Sequence, residues 1–421
     1  MNNIMLNDKN KLMPEIRFKG FTHAWEQRKF SNTLEFSISN NTLSRAELNY
    51  DEGEIKNIHY GDILIKFDSI TDINNPEVPF ITGGKAEDYK SQLLQNGDII
   101  IADTAEDETT GKAIEITGIS DNYVVSGLHT MVARPNETFA QGYLGYYLNS
   151  QAYRNQLLPL MQGIKVLSLS KTNMDKTTIV FTKDISEQTA IGTFFRTLDD
   201  SIALYKRKLE GLKEIKRAYL QQMFHRDGET VPRVRFKGFV GDWERKKLGE
   251  VFSERNERSS NGELISVTIN SGVVKASTLD RKDNSSEDKS NYKKVEVCDI
   301  AYNSMRMWQG ASGVSNYSGI LSPAYTVIIP NDGVRSLFFS YMFKLSQMIQ
   351  TFQTNSQGLT SDTWNLKFPL LKDISIFIPC ADEQTAIGNF FRNLDEQITT
   401  LQTKLDKLKQ LKSAYLQKMF I

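Results

Sequence analysis

The chain has few of the residues that metal sites and disulfide frameworks require. Its 421 residues include two cysteines, Cys298 and Cys380, and four histidines. Two cysteines exclude a disulfide framework or a cysteine-rich metal centre, and the histidines are scattered without ligand spacing. The N-terminal segment is polar and no apolar run reaches about 18 residues, so we expect a soluble cytoplasmic protein with no membrane contact.

The short motifs of the obvious enzyme classes are missing as well. There is no Asn-Pro-Pro-Tyr or Asp-Pro-Pro-Tyr tetrapeptide for methyl transfer to an amino group. The nearest match to a nucleotide-binding loop, TGKA at residues 110–113, lacks the first glycine and the hydroxyl residue. We therefore predict that this chain itself has no catalytic residue, binds no metal and binds no cofactor.

Neither sign of charge is in excess. Lysine and arginine together number 51, as do aspartate and glutamate. This balance argues against a chain that coats nucleic acid through charge alone, but it is compatible with a local basic face. Residues 233–258 are richer in positive charge, with eight Lys or Arg side chains.

What the chain does have is a long internal repeat. Residues 187–224 read EQTAIGTFFRTLDDSIALYKRKLEGLKEIKRAYLQQMF, and residues 383–420 read EQTAIGNFFRNLDEQITTLQTKLDKLKQLKSAYLQKMF. Twenty-three of the 38 aligned positions are identical. A repeat offset by 196 residues indicates duplication of a whole structural unit rather than a short solenoid.

Each copy of the repeat is typical of a long helix with a heptad seam. The first seam contains Leu198, Ile202, Tyr205, Leu209, Leu212, Lys216 and Tyr219, and the second contains Leu394, Ile398, Leu401, Leu405, Leu408, Lys412 and Tyr415. The two lysines interrupt the seam. We expect Ile215 and Leu411 beside them to cover it as a straight helix drifts.

The ends and the partners of these helices can also be anticipated. Ser186 and Asp382 are the N-cap candidates, and Glu187 and Glu383 place negative charge at the positive end of the helix dipole. The simplest partner for each apolar stripe is its own repeat, which predicts an intramolecular coiled coil. The alternative is two amphipathic helices that pack on separate domains.

A second repeat lies ahead of each helix. Residues 14–26 and 232–244 share the pattern Pro-x-x-Arg-Phe-Lys-Gly-Phe followed by Trp-Glu, at an offset of 218 residues. Each half of the chain therefore begins and ends alike, with different sequence between. We expect Phe18, Trp25, Phe236 and Trp243, which occur in both copies, to pack in a core rather than to stack on a ligand.

Short apolar runs between these repeats predict strands. The runs lie at residues 62–65, 98–102, 124–125, 130–133 and 177–181 in the first half, and at 264–269, 299–302, 325–329 and 374–378 in the second. A shorter helical pattern follows at residues 139–158 and 337–352. Each half is therefore expected to be a globular α+β domain that continues into a long helix, and the dissimilar middles suggest two different targets.

This arrangement resembles the specificity subunit of type I restriction-modification enzymes. The resemblance rests on EQTAIG-x-FFR-x-LD followed by a long helix at the middle and end of the chain. It implies two globular α/β target-recognition domains, separated and joined by two long helices that form an antiparallel coiled coil. The implied boundaries are an N-terminal tail at 1–13, recognition domains at 14–185 and 229–381, and helical spacer regions at 186–228 and 382–421.

The resemblance also implies a function and partners. A chain of this kind is non-catalytic, and each domain reads one half of a split site in double-stranded DNA. Two modification (methyltransferase) subunits would carry S-adenosylmethionine, and two restriction (motor-nuclease) subunits would use ATP and Mg. The helices would set the unread gap between the half-sites and provide docking positions at Leu198, Ile202, Leu209, Leu212, Tyr219, Leu394, Ile398, Leu405, Leu408 and Tyr415.

A protein that recognises a DNA sequence places side chains such as Arg, Lys, Asn or Gln at the edges of the bases, and contacts to the phosphates hold these side chains in position. In the second half, the loop at 303–313 combines Arg306, Trp308 and Gln309 with glycines, and the further candidates are Arg255, Asn270, Lys275, Thr360 and Ser361. In the first half, the candidates are Asn40, Asn41, Arg45, Lys66, Lys85 and Lys165. The corresponding loop there, residues 103–112, is acidic, so contacts do not transfer simply between the halves.

Two other function classes remain open on sequence alone. One is a self-contained nuclease or methyltransferase with an undetected site, which would transfer methyl groups to DNA without partners. The other is a coiled-coil scaffold whose globular domains bind protein, for which any DNA affinity would not depend on sequence.

Overall fold

The chain folds into two compact units, and each combines residues that are distant in sequence. The computed structural model describes residues 4–6, 12–226, 229–280, 285–361 and 363–421. Unit 1 comprises Met1–Lys206 and Thr403–Ile421, and unit 2 comprises Arg207–Gln402. The predicted boundary at 228/229 adjoins residues 227 and 228, which lie outside the described part of the chain, and of the predicted tail at 1–13 only residues 4–6, 12 and 13 are described.

Unit 1 contains most of the strands. They are β1 (Ile4–Leu6), β2 (Ile16–Phe18), β3 (Glu26–Lys29), β4 (Leu34–Ile38), β5 (Leu48–Asn49), β6 (Ile55–Ile58), β7 (Ile70–Asp72), β8 (Phe80–Ile81), β9 (Ile99–Ala102), β10 (Thr104–Ala105), β11 (Ala113–Thr117), β12 (Tyr123–Ser126), β13 (Thr130–Pro135), β14 (Leu167–Ser168) and β15 (Thr178–Phe181). The helices are α1 (Phe30–Thr33), α2 (Tyr60–Ile65), α3 (Tyr143–Tyr147), α4 (Gln151–Leu157), α5 (Lys171–Met174) and α6 (Ile185–Gln222), which ends in unit 2.

A five-stranded mixed sheet forms the centre of unit 1, in the order β4-β13-β9-β11-β7. Its central strand β9 is buried throughout. Ile99 and Ile101 belong to the core that contains α3, α4 and the start of α6, whereas Ile100 belongs to the core shared with the second sheet, β12-β6-β8-β5. Because alternate side chains of a strand point to opposite faces, a sheet covered on both faces requires this continuous apolar run.

Unit 2 has a related but simpler plan. Its strands are β16 (Glu244–Lys247), β17 (Phe252–Glu254), β18 (Ile265–Thr268), β19 (Gly272–Lys275), β20 (Lys293–Val295), β21 (Ile300–Asn303), β22 (Ser312–Val314), β23 (Gly319–Leu321), β24 (Tyr325–Pro330) and β25 (Ser375–Ile378). Its helices are α7 (Leu248–Val251), α8 (Ser336–Met342), α9 (Ser346–Thr354), α10 (Phe368–Leu371) and α11 (Ala381–Lys418), which ends in unit 1. The main sheet is antiparallel, in the order β17-β24-β21-β22.

In both units, the strand at the end of the shorter repeat, at residues 14–26 or 232–244, pairs with the strand that precedes the long helix. β3 pairs antiparallel with β15, and β16 pairs antiparallel with β25. The neighbouring tryptophans Trp25 and Trp243 are buried in the cores of their units, as the sequence predicts. The recurring beginning and end of each half therefore form one continuous frame.

The two long helices pack against each other, and they run antiparallel. In unit 1, Phe194 contacts Tyr415 with ring centroids 5.0 Å apart, and Asp199 binds Lys412 farther along. In unit 2, Tyr219 contacts Phe390 at 5.2 Å. The predicted antiparallel helix pair is therefore present, and the alternative of two separate amphipathic helices that pack only on separate domains is wrong.

The apolar run at residues 62–65 was expected to be a strand but lies in helix α2. The Gly61 amide donates to His59 Nδ1 at 3.2 Å, which caps the helix. The buried Asp62 carboxylate accepts from Arg45 at 2.7 Å. These partners come from the turn and from a distant segment, so the short apolar run alone could not distinguish helix from strand.

Two further expectations, about the first residues of the long helices, are corrected. Helix α6 begins one residue before Ser186, and the Asp184 carboxylate is its cap because it accepts from the Ser186 amide at 2.9 Å. Helix α11 likewise begins at Ala381, before Asp382. In the N-terminal segment, β1 pairs with β2.

Candidate nucleic-acid interface

In unit 2, two loops that carry predicted DNA contacts lie side by side. The first follows β21 and includes residues 303–311, and the second joins α9 to α10. The Leu366 amide in the second loop donates to the Ser304 carbonyl in the first at 2.8 Å, and the rings of Trp308 and Trp364 meet edge to face at 5.2 Å. The structure thus brings the region of Arg306 and Gln309 next to that of Thr360 and Ser361.

Internal hydrogen bonds shape the first of these loops, and Arg306 in it is exposed. A single 3-10 turn, Met307–Gln309, ends at Gly310 with φ +80°, a backbone conformation that favours glycine. The Trp308 indole N–H donates to the Met305 carbonyl at 3.0 Å. An exposed Arg beside a half-buried Gln on a fixed turn is suited to reading base edges. Their contact with DNA stays a prediction.

Lys344 connects this turn to a third candidate segment. Its ammonium donates to the carbonyl of Gly310 and, at 2.8 Å, to that of Ile269, which precedes the exposed Asn270 in the β18–β19 turn. Burial lowers the pKa of Lys344 to about 8 because the charged form is desolvated. Lys344 therefore connects the β18–β19 turn to the loop after β21 through hydrogen bonds to both backbones.

Two other candidates in unit 2 are engaged within the protein. Arg255 is nearly buried, and its guanidinium donates to both carboxylate oxygens of Asp299, at 2.7 and 3.0 Å. Lys275 is half-buried, binds Glu263 at 2.7 Å and lies over the Tyr317 ring. Both side chains would have to exchange an existing ion pair for a phosphate or a base.

Unit 1 repeats the two-loop arrangement with different chemistry. Strand β10, in the loop after β9, pairs antiparallel with β14, in the loop after α4, and the Leu169 amide donates to the Asp103 carbonyl at 2.8 Å. The exposed residues 106–108 make the first loop acidic, as the sequence shows, whereas the second contains the exposed candidate Lys165. Equivalent places in the two units therefore present opposite charges.

A separate cluster in unit 1 gathers two of the predicted DNA contacts around one aromatic ring. The hydroxyl group of Tyr50 accepts from Arg45 at 3.1 Å and from Lys66 at 3.0 Å. The Lys66 ammonium also lies 4.8 Å from the Tyr50 ring centroid. Asp62 binds the same two cations, which neutralises part of their charge.

The remaining candidates of unit 1 are dispersed. The Asn40 side chain donates to the carbonyls of Asn41 and Gly127, and the buried Asn41 side chain donates to Asn57 at 2.7 Å. Lys85 is exposed just before the 3-10 turn Ala86–Gln92. The structure does not bring Lys85 together with Lys165.

An Arg and a Glu that recur in both halves form the same ion pair in each unit, with a buried Glu, and the sequence reasoning missed this pair. Arg17 donates through two nitrogens to the fully buried Glu187, and Arg235 donates at 2.6 and 2.7 Å to Glu383. Two identical residues, recurring in both halves at different offsets, were the available signal. The pair joins the start of each unit to its long helix.

Both seam lysines belong to a second repeated constellation. Lys412 binds Asp199, whose other oxygen accepts from the Tyr146 hydroxyl at 2.8 Å. Lys216 likewise binds Asp395 at 2.5 Å, and the Tyr341 hydroxyl donates to that carboxylate at 2.8 Å. Burial and the adjacent carboxylate raise the pKa of both tyrosines. Each Tyr–Asp–Lys triad joins both long helices to a short helix of its unit.

The triads also correct the expected course of the seam. Ile215 and Leu411 do not cover it, because they are 44% and 42% exposed. The lysines themselves stay on the seam with their charges neutralised by aspartate. Of the predicted docking positions, Leu198, Leu209, Leu394 and Leu405 are buried, Ile202, Leu212, Ile398, Leu408 and Tyr415 are half-buried, and Tyr219 is 37% exposed.

The last residues of each helix complete the core of the unit that the helix enters. Phe420 stacks against Phe195 and meets Trp25 edge to face, and Phe224 packs against Phe338 and Phe391. The identical MF ending of the two repeats was the signal for this role. Each core therefore contains segments from both copies of the repeat.

Metal-binding clusters and membrane-spanning helices are both absent among the described residues. No group of three or more His, Cys, Asp or Glu side chains there is placed to hold a metal ion. None of the helices there is both long and apolar enough to span a membrane.

Comparison with known proteins agrees with this architecture. The model of the type I restriction modification DNA specificity domain matches twice, at residues 49–214 and 241–410. The putative type I restriction enzyme MjaX specificity subunit of Methanocaldococcus jannaschii is 22% identical over 230 residues, which is 53% of this chain. The alignment spans 52% of that relative, so the chain matches about half of its length.

A solved structure shares the fold. The S subunit of a type I restriction-modification system from M. genitalium superposes with a TM-score of 0.60 at 14% identity, and the match covers 97% of this chain and 99% of that one. The HsdS subunit from Thermoanaerobacter tengcongensis gives 0.45 at 15% identity, with 94% and 96% covered. The two units and paired long helices thus define a type I DNA specificity fold. The chain belongs to the type I restriction-modification DNA specificity family.

Proposed function

We propose that this chain is the DNA-recognition and scaffold subunit of a type I restriction-modification complex. Unit 1 reads one half of a bipartite, asymmetric target, and unit 2 reads the other. The observation that carries the proposal is the combination of a repeated frame with unlike loops at the equivalent place: exposed Arg306 in one unit, acidic residues 106–108 in the other. A frame that recurs with different loops supports two different half-sites on one plan.

The chain is non-catalytic by itself in this proposal. Methyl transfer belongs to modification subunits, which bring S-adenosylmethionine, and cleavage belongs to motor-nuclease subunits, which use ATP and Mg. Two copies of each would dock on this chain, with exposed side chains of the long helices as part of the docking surface. The two-fold repetition of the helix pair supports two equivalent docking places.

Methylation mapping tests the proposal directly. Genomic DNA from cells that express this chain with its modification subunit is sequenced by a single-molecule method, beside DNA from cells without this chain. A chain-dependent motif with two defined halves around a fixed gap is expected. An assembled complex that methylates no such motif would refute the proposal and favour the protein-binding scaffold. Methyl transfer by the purified chain alone would contradict its non-catalytic role.

A further inference from the structure

Each unit contains a short lobe with a fully exposed apolar side chain near its start, and in unit 1 Val166 of the same lobe is also 53% exposed. In unit 1, Gln162 and Ser168 close the lobe through two backbone hydrogen bonds of 3.0 and 2.8 Å. In unit 2, Gln357 and Asn365 do the same at 3.1 and 2.8 Å. Both lobes begin with Gln-Gly followed by an aliphatic residue, Ile164 or Leu359, which is fully exposed.

The backbone of each lobe holds this residue outward. Gly163 has φ +123°, and a Cβ there would lie 1.9 Å from the Val166 carbonyl oxygen. Gly358 has φ +143°, and its Cβ would lie 2.6 Å from the carbonyl oxygen of Thr363. Only glycine fits such a conformation and such a close approach. The turn before each apolar tip is therefore built in the same way in both units.

A single exposed aliphatic side chain is common on protein surfaces and by itself indicates no partner. Its complete burial would contribute about 1.5–3 kcal/mol. The repetition is informative because the rest of the lobes has diverged: Lys165 follows one tip, and Thr360 and Ser361 follow the other. The apolar tip is the feature that both lobes retain.

The neighbours of the tips favour DNA as the partner. In unit 2, Trp364 of the lobe packs against Trp308 in the loop that bears Arg306 and Gln309, side chains suited to base edges. Leu359 is followed by exposed polar residues rather than by an apolar patch, and a protein-docking surface would need such a patch. In unit 1, exposed Lys165 next to Ile164 is placed to contact a phosphate.

We infer that Ile164 and Leu359 are DNA wedges, each of which inserts between adjacent base pairs of the half-site that its unit reads. This inference rests on the proposed function. Apolar side chains inserted at a base step unstack it at a cost of a few kcal/mol. A methyltransferase must also swing its target base out of the duplex. A wedge in this chain opens the stack for the modification subunit, and burial of its tip offsets part of the cost.

The test uses the complex of the full chain with its modification subunit and a duplex carrying the mapped motif. 2-Aminopurine, whose fluorescence rises when it unstacks, is placed in one half-site or the other. The variants are Ile164→Ser and Leu359→Ser, with Val240→Ser as the matched control because Val240 is 89% exposed outside the lobes. Each wedge variant is expected to abolish the fluorescence rise in a different half-site and to slow methylation there about tenfold or more, while assembly is unchanged.

Several outcomes would overturn the wedge. One is methylation and fluorescence equal to those of Val240→Ser. Another is loss of subunit assembly in both variants, which would make the tips a protein-docking feature. A third is an equal loss of signal from both half-sites in each variant. If the wild-type complex methylates no bipartite motif, the proposed function fails, and the wedge fails with it; the wild type alone reveals that case.

Discussion

At the scale of single residues, buried charge is the feature with the largest expected consequences. Glu187 and Glu383 are inaccessible to water, and each has one arginine that holds its carboxylate through two nitrogens. Removal of one partner from such a pair leaves a buried charge without compensation. The arginines therefore stabilise their units.

We expect Arg17→Ala to lower the stability of unit 1 by about 3–5 kcal/mol, because Glu187 would remain buried and unpaired. Arg17→Lys should recover only part of this loss, since an ammonium cannot reproduce the two-point contact. Urea unfolding of the full chain measures the effect, with exposed Lys19→Ala as the control. If the free energy of unfolding of Arg17→Ala equals that of Lys19→Ala, a structural role for the pair is contradicted.

Glu115 predicts a pH dependence of stability. Its buried carboxylate accepts from the amides of Gly142 and Gly145, at 2.6 and 3.1 Å, and burial nevertheless raises its pKa from 4.5 to about 6. The folded protein therefore binds a proton more tightly than the unfolded chain does. The contribution of Glu115 to the free energy of unfolding is most favourable below about pH 4.5 and is lost as the pH rises through about 6.

Glu115→Gln removes this titration. Between pH 4 and pH 7, the wild type should lose about 2 kcal/mol of unfolding free energy relative to the variant, since a shift of one pKa unit corresponds to about 1.4 kcal/mol. Urea unfolding of both proteins at several pH values measures the difference, and pH effects from other groups cancel. A difference that does not vary with pH would refute the raised pKa.

At the scale of secondary-structure elements, the long helices depend on two lysines that interrupt the apolar seam. Lys216 and Lys412 would be defects in an apolar seam, but each lies in a Tyr–Asp–Lys triad that also contains a helix of the globular part. A polar group on a coiled-coil seam specifies register at some cost in stability. The triads therefore fix the position of each helix against its unit.

A double-mutant cycle tests the triad of unit 1. Lys412→Met and Tyr146→Phe should each destabilise the chain, and their effects should be coupled by about 0.5–3 kcal/mol because both side chains contact Asp199. Thermal unfolding of the two single variants and the double variant gives the coupling, and Lys409→Met on the exposed face of the same helix is the control. Additive effects would show that the three side chains do not act together.

Two glycines of helix α6 should respond oppositely to the same substitution. A Cβ on Gly192 would lie 2.8 Å from the carbonyl oxygen of Gln141, whereas one on Gly211 would meet nothing within 4 Å. Gly192→Ala should therefore destabilise unit 1 by about 1–3 kcal/mol. Gly211→Ala should stabilise the helix by about 0.5–1 kcal/mol, because alanine loses less backbone entropy.

Thermal unfolding of the two alanine variants, side by side, measures these opposite shifts. Equal shifts in the same direction would mean that helix α6 does not approach its unit closely at Gly192.

At the scale of the whole molecule, both long helices start in one unit and end in the other, so their length is shared by the two units. The proposed function makes this length a ruler for the gap between half-sites. Insertion of one heptad in each helix, after Lys206 and after Gln402, preserves the seam and adds about 10 Å. The unread gap should lengthen by about 3 base pairs at 3.4 Å each.

Methylation mapping of this insertion variant reads the gap directly. A matched insertion of seven residues in the exposed loop at residues 120–122 should leave the gap unchanged. A heptad variant that methylates the original motif with the original gap would refute the ruler, although not the reading of two half-sites.

The sequence by itself determined the duplicated plan and the pairing of the two long helices, and the resemblance carried by its motifs implied their antiparallel course and the family. The plan and the pairing rest on periodic apolar positions and on identical residues at fixed offsets, which can be read directly from the chain. It predicted buried Trp25 and Trp243 for the same reason, because residues that recur beside divergent loops serve the common frame.

Only the tertiary structure decided which residues meet. It made residues 62–65 a helix, because the buried Asp62 finds Arg45 across the fold. It turned the apparent defects Lys216 and Lys412 into paired charges, and it placed Phe224 and Phe420 in the cores that their helices enter. Such contacts join segments up to some two hundred residues apart. Local periodicity therefore contains no information about them.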